Sequence, residues 1–331
     1  MNCQAMLYGN RPPAGVAFKE PIDLLGSYAT PGVGRVFVVR GDGTSVLNYD
    51  DQYTNQVPSS TPVYASIASA LALCVASRGD TLMVLPGHTE NIATATAWSI
   101  PAGTRILGIG WGNTRPVVTL TAAASMVTMT AGSLISNIKF ACDGTAATTV
   151  TKAFDMTGEG ASLIGCEFHL GTSNTQKCAT LVAVQAANCR FISNKAYADT
   201  QATALTNVIV LGAAATGADD FVCIANYMAG SMSAATTGLI ANINSTATSN
   251  RVLIQENFLF NWKADSSACI SLAGNQVTTG CIVENTFRVM DNASVQGVVF
   301  SGTGVDVSMD NNRIVNNVNE TAKQNQGTVS A

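Results

Sequence analysis

Short apolar runs of two or three residues alternate with Gly, Asn, Ser and Thr over most of the chain. Leu134-Ile135, Leu163-Ile164, Val222-Cys223-Ile224, Val252-Leu253-Ile254 and Cys281-Ile282-Val283 are such runs, rich in the β-branched residues that suit strands. Each leads into a Gly or Asn within a residue or two, and a further apolar or aromatic position follows. Gly108-Ile109-Gly110-Trp111, Asn137-Ile138-Lys139-Phe140, Gly165-Cys166-Glu167-Phe168, Asn188-Cys189-Arg190-Phe191, Asn257-Phe258-Leu259-Phe260 and Asn311-Asn312-Arg313-Ile314 share this pattern, and Asn226 and Asn285 open two less regular members. Successive first positions are 29, 28, 23, 38, 31, 28 and 26 residues apart, a mean of 29.

A repeat of this length marks a solenoid or another stacked array. No repeat holds a long helical stripe, which excludes helix-pair and leucine-rich arrays, and the period is short of the roughly 40 residues of a propeller blade. The pattern predicts an all-β, right-handed parallel β-helix of eight or nine coils with three short strands per coil. Asparagine tolerates the left-handed conformation of a tight corner, and glycine tolerates it better. With coils about 4.8 Å apart, Asn137, Asn188, Asn226, Asn257, Asn285 and Asn311 are expected to form an amide ladder. Trp111, Phe140, Phe168, Phe191 and Phe260 are expected to stack in the same way.

The flanks differ from the repeats. Ile67, Leu71, Cys74 and Val75 form one apolar helical stripe behind a possible N-cap, Ser66, which predicts a capping helix over about 66–76. Thr81–Leu85 then reads as a buried strand. Residues 1–60, rich in Pro and Gly, read as an extended arm, 61–316 as the β-helix, and 317–331 as a polar tail. Met6, Leu7, Tyr8, Val16, Phe18, Leu24 and Leu25 have no core of their own in that arm and are the expected anchoring contacts.

Composition narrows the function classes. Hydrophobic residues reach 47% while charged ones make up 11%, against about 25% in an ordinary domain. The net charge of −4 offers no field for nucleic acid or an anionic membrane. No run approaches the roughly 18 apolar residues of a membrane span, and no signal-peptide pattern opens the chain. Nine scattered cysteines without a Cys-x-x-Cys pair fit reduced, buried thiols and synthesis in a cytoplasm.

Candidate chemistry is sparse, and the pattern implies no cofactor and no catalytic residue. Glu256, Glu284 and Asp310 each precede a ladder Asn in successive coils; they fan outward into water or, if in register, would repel unless a cation or protons lay among them, as in a calcium site or a carboxylate pair acting on a glycan. Lys139, Glu167 and Arg190 share one repeat position and suggest a surface ladder of ion pairs. The two histidines, His88 and His169, read as turn residues, and Asp50-Asp51 and Asp219-Asp220 as solvated turn carboxylates.

Tyr64-Ala-Ser-Ile67-Ala-Ser-Ala-Leu71, followed by Gly79-Asp80-Thr81-Leu82-Met83-Val84-Leu85-Pro86-Gly87-His88-Thr89-Glu90, resembles the entry segment of pectin-lyase-like right-handed β-helix proteins. Together with the repeats the resemblance covers about 61–316. The arm, the "LPGHTENI" turn and the Ala/Thr-rich coils resemble β-helix proteins of tailed bacteriophages. That resemblance implies a non-enzymatic virion structural protein, a capsid decoration (cement) protein assembled in the host bacterial cytoplasm. Its implied partners are the major capsid protein or another virion protein, and further copies of itself as a dimer or trimer. The alternative it implies is a tailspike-type receptor-binding protein that binds or depolymerises host surface polysaccharide.

Overall fold

Three parallel sheets enclose one core in a computed structural model of the chain, which describes residues 34–41, 63–94, 98–124, 126–142, 149–173, 175–199, 204–212, 217–232, 238–242, 249–262, 268–272, 278–289, 297–300 and 305–316. The seven anchoring residues expected in the arm, and the tail, lie outside these residues. Sheet 1 stacks eleven strands, beginning with Val63–Tyr64, Val36–Val39 and Thr81–Val84 and ending with Val305–Asp310. Sheet 2 runs from Thr89–Ile92 to Arg313–Asn316, and sheet 3 from Trp98–Ile100 to Val298–Phe300. The chain visits the sheets in the order 1, 2, 3 on each circuit. The eight strands of sheet 3 are separated by seven circuits. The protein is thus a parallel β-solenoid of about seven full turns. Eight or nine were expected; among the described residues the first and last circuits do not contribute a strand to every sheet.

Alternation along each strand sorts side chains into straight columns, because register partners share a face. Phe140, Phe168, Ala196, Met228, Leu259 and Phe287 form one inward column of sheet 2. Its aromatic part belongs to a cluster of contacting rings in the core. Phe168 stacks on Phe140 and Phe191, each at 5.7 Å between ring centroids, and meets Phe154 edge-on at 5.4 Å. The expected ring column is corrected here. Phe191 reaches the stack from sheet 1, Phe260 faces outward on sheet 2, and Trp111 is 78% exposed at a corner.

Two columns of left-handed residues build the corners. Between sheets 1 and 2 stand Asn137, Gly165, Ser193, Ala225, Glu256, Glu284 and Asn311, all at φ between 51° and 63°. Each of the first six donates its N–H to the coil above, as Asn137 does to the Ile164 carbonyl. The next residue in each coil forms the ladder proper: Asn194, Asn226, Asn257, Asn285 and Asn312. Each of Asn226, Asn257 and Asn285 accepts through Oδ1 from the preceding coil's N–H at 2.8–2.9 Å, and Asn312 from Asn285 at 3.0 Å. Asn194 receives the N–H of Cys166 at 2.9 Å. Asn137 and Asn311 therefore stand one residue before the ladder. Asn188 belongs to a different corner, between sheets 3 and 1, where its N–H donates to Asp219. Both corners demand positive φ, and Asn serves at either.

At the N-terminal end a five-residue helix, Ile67–Leu71, packs beside the first strands of sheets 1 and 3 and buries Ile67, Ala70 and Leu71 in the core. It is shorter than the stripe predicted, and Val75 lies half exposed beyond it. Ser66 accepts the N–H of Ser69, and the Glu90 carboxylate accepts those of Ile67 and Ala68 at 2.6 and 3.1 Å. Asp80, fully buried, ties the following turn to the first strands. It accepts from Arg35 N–H, Val75 N–H and two nitrogens of Arg78, all at 2.7–2.8 Å. Burial pushes its pKa up, but the Arg78 guanidinium and the two backbone N–H groups outweigh it and hold the carboxyl below its ordinary value.

A carboxylate so held stabilises the fold above its unfolded pKa and ceases to do so as pH falls toward its folded value. Asp80→Asn is expected to lower the neutral-pH melting temperature by about 3 °C or more. It should also flatten the acid slope below about pH 4, where the unfolded carboxyl titrates. Thermal melts from pH 7 to 3 check this; an unchanged acid slope in the variant removes Asp80 as the group responsible.

Candidate functional site

Sheet 2 turns two columns of side chains outward. One carries Lys139, Glu167, Lys195, Tyr227 and Phe258, and the other His169, Tyr197, Ala229, Phe260 and Arg288. Because partners are one strand apart, groups 28 residues apart in sequence become neighbours. Glu167 is the centre of a polar cluster. Its Oε1 accepts from the Tyr197 hydroxyl at 3.0 Å and lies 3.7 Å from Lys139 Nζ; its Oε2 lies 3.3 Å from Arg115 Nη1. Arg115 enters from the corner that precedes sheet 2, with its Nε buried and without a partner.

His169 lies beside this group. Its Nε2 is 2.8 Å from Asp199 Oδ1, and its ring leans on Tyr197 with centroids 5.2 Å apart. Lys195 Nζ lies 4.6 Å from the Tyr197 ring centroid. Further along the same face Tyr227 and Phe258 stack at 5.4 Å, and Arg288 covers the Phe260 ring at 4.5 Å. Phe260 also meets Trp262 edge-on at 5.8 Å. Such pairings hold cations over ring faces by quadrupole attraction. The result is a strip of aromatic, cationic and carboxylate groups that ranges from buried His169 to exposed Lys195 and Tyr227 and is interrupted in one column by buried Ala229.

Other expected groups fall elsewhere. Arg190 is not in line with Lys139 and Glu167; it points outward from sheet 1, and Lys195 takes its place. Glu256 and Glu284 do share the left-handed column, where the Gln255 side-chain amide donates to both. Asp310 pairs with Val283, one position earlier, so it leaves that column to Asn311. Among the described residues no group of three or more His, Cys, Asp or Glu side chains assembles as a metal site. His88 is buried and bonds Glu90 at 3.1 Å, which makes it part of the helix clamp. Asp219 accepts from Asn250, and Asp220 pairs with Arg251 at 2.6 Å, which lowers its pKa. Asp50-Asp51 lies outside the described residues.

Arg115, Lys195, Tyr197 and Asp199 went unmarked in the sequence. The signal for Lys195 and Tyr197 was the period itself, since each lies 28 residues after a member of the cluster. It was hidden by aligning Asn188 in place of Ser193.

The three parallel sheets and the amide ladder at one corner define a parallel β-helix. No family model matches the chain, and no curated protein is similar to it. A solved structure named rhamnogalacturonan lyase is similar in fold, with a TM-score of 0.42 and 10% identity, over 88% of this chain and 78% of that one. The expectation of a protein without enzymatic activity is withdrawn against this finding, since the neighbour is by name a lyase. At this identity the likeness is one of fold, and the activity stays with the neighbour.

Proposed function

We propose that this chain is a surface component of a tailed-phage virion that binds polysaccharide along the outer face of sheet 2. The observation that carries the reading is the cluster of Arg115, Glu167, His169, Lys195, Tyr197 and Asp199, continued by Tyr227, Phe258, Phe260 and Arg288. Aromatic rings beside charged and hydroxyl groups supply the apolar contacts and hydrogen bonds that a sugar ring requires. Glu167, His169, Lys195 and Tyr197 sit on strands, with Arg115 and Asp199 just outside strand ends, so the spacing of the strand groups is fixed before a ligand arrives and little ordering cost falls on binding. A role in virion architecture rests on the sequence resemblance. The decoration reading, in which the rod attaches to the head lattice, is favoured by the outward column Met83, Leu107, Ile164, Ile192 and Ile224 on sheet 1, and it leaves the chemistry of sheet 2 open.

The test is retention of the full chain on a panel of immobilised bacterial capsular polysaccharides. The wild type is expected to bind at least one of them. Tyr197→Phe combined with Lys195→Ala is expected to weaken that binding at least tenfold with an unchanged melting curve. Release of reducing ends over time would add cleavage to binding. Equal retention of the variant overturns the assignment to this face.

A further inference from the structure

The outer face of sheet 2 sorts its charges by position. Apart from His169 and the tyrosines, the charged side chains of its two outward columns are Lys139, Glu167, Lys195, Arg288 and Arg313. Glu167 already engages Lys139, and Arg115 from the corner. Lys195, Arg288 and Arg313 have no carboxylate partner among the described residues. From Lys195, Arg288 lies three strands further along the sheet and Arg313 four. At about 4.8 Å per strand these gaps are about 14 and 19 Å. Between them Tyr227, Phe258, Phe260 and Trp262 offer rings and no charge.

Resting on the polysaccharide reading of this face, we propose that its ligand is an acidic heteropolysaccharide lying along the solenoid axis, with anionic groups about three or four sugar residues apart and uncharged sugars between. A sugar ring in an extended glycan advances by about one strand spacing, so the rings of the ligand and the strands of the sheet keep step. One anionic substituent then meets Lys195 and the next meets Arg288 and Arg313, while the uncharged rings lie on the aromatic stretch. Charge complementarity at both ends draws the glycan in and fixes its register. Contact of Lys195 with the Tyr197 ring and of Arg288 with the Phe260 ring holds both cations in place. A glycan charged on every ring would set uncompensated anions over Tyr227 and Phe258 and beside Glu167. A single-stranded nucleic acid, with a phosphate at every nucleotide, meets the same mismatch.

Calorimetry on the full chain at low salt, with linear fragments of deacylated gellan as the probe, tests this. Gellan carries one glucuronate in each four-sugar repeat. The eight-sugar fragment, with two carboxylates, is expected to bind at least tenfold tighter than the four-sugar fragment. It is also expected to bind at least tenfold tighter than the same fragment with its carboxylates reduced to alcohols. Arg288→Glu combined with Arg313→Glu is expected to erase the advantage of the longer fragment with an unchanged melting curve, and Lys195→Glu to do so from the other end. The proposal is overturned by an eight-sugar fragment that fails to bind, that binds no better than its reduced or four-sugar counterparts, or that keeps its advantage in both variants. Tighter binding of oligothymidylate than of the eight-sugar fragment overturns it as well. Retention of a capsular polysaccharide beside any of these failures leaves the polysaccharide reading standing, whereas loss of retention on the whole panel removes both.

Discussion

Asn257→Ala is expected to destabilise the protein by about 3 kcal/mol or more, from one exposed-looking polar residue in a run of sequence. The Asn257 side chain is 2% exposed and works in both directions. Its Oδ1 accepts from the backbone and the side chain of Asn226, both at 2.9 Å, while its Nδ2 donates to the Cys223 carbonyl at 2.9 Å and to Asn285 Oδ1 at 3.0 Å. Alanine leaves the Asn226 N–H and the Cys223 carbonyl buried and less well satisfied, and each orphaned group costs roughly 1–3 kcal/mol. Since a solenoid coil contacts chiefly its two neighbours, the damage should be local. Hydrogen exchange is expected to accelerate at Asn226, Asn257 and Thr286 before it does so near Phe168. A midpoint of denaturation within error of wild type would show that the ladder is decoration on an interior that needs no amides.

Phe168→Ala is expected to cost about 3–5 kcal/mol, at the upper end for a single core truncation. The residue is fully buried and touches three other rings, Phe140, Phe154 and Phe191, so the variant loses both burial and favourable ring geometry. The surrounding strands are fixed by ladders on both sides and cannot collapse into the space. Phe168→Leu should recover about half of the loss. Chemical denaturation of the two variants decides the matter. A cost below about 1.5 kcal/mol would mean that neighbouring rings rearrange to fill the void.

The period of the chain was readable because the corner between sheets 1 and 2 carries Gly or Asn in every coil but one, either at the left-handed turn, as at Asn137 and Gly165, or in the ladder position after it, as at Asn226, Asn257 and Asn285. The same residue choice misled the alignment of the fourth coil. Asn137 and Asn188 both adopt positive φ, at 55° and 58°, yet they turn the chain at different corners. With Ser193 in the column the uneven gaps of 23 and 38 become 28 and 32, from Gly165 to Ser193 and from Ser193 to Ala225. Ser193 and Ala225 are residues that no composition rule assigns to a left-handed corner; they are held there by hydrogen bonds to the adjoining coil. The sheet 2 cluster was partly legible. Lys139 and Glu167 stand in line in the sequence pattern, but Arg115 arrives from a corner, and the pairing of His169 with Asp199 spans 30 residues rather than the common 28. Register at that level is set by the lengths of the connecting loops, which the strand pattern does not encode.

Buried thiols are distributed along the rod, and burial makes them poor nucleophiles. It pushes the Cys166 and Cys189 pKa values up to about 11 and that of Cys269 to about 12, and it raises that of Cys223 as well. Alkylation of each sulfur therefore waits for its own coil to breathe. The native chain carries, without engineering, a set of clocks along its axis, and mass spectrometry of slowly labelled protein could time the opening of the rod one storey at a time.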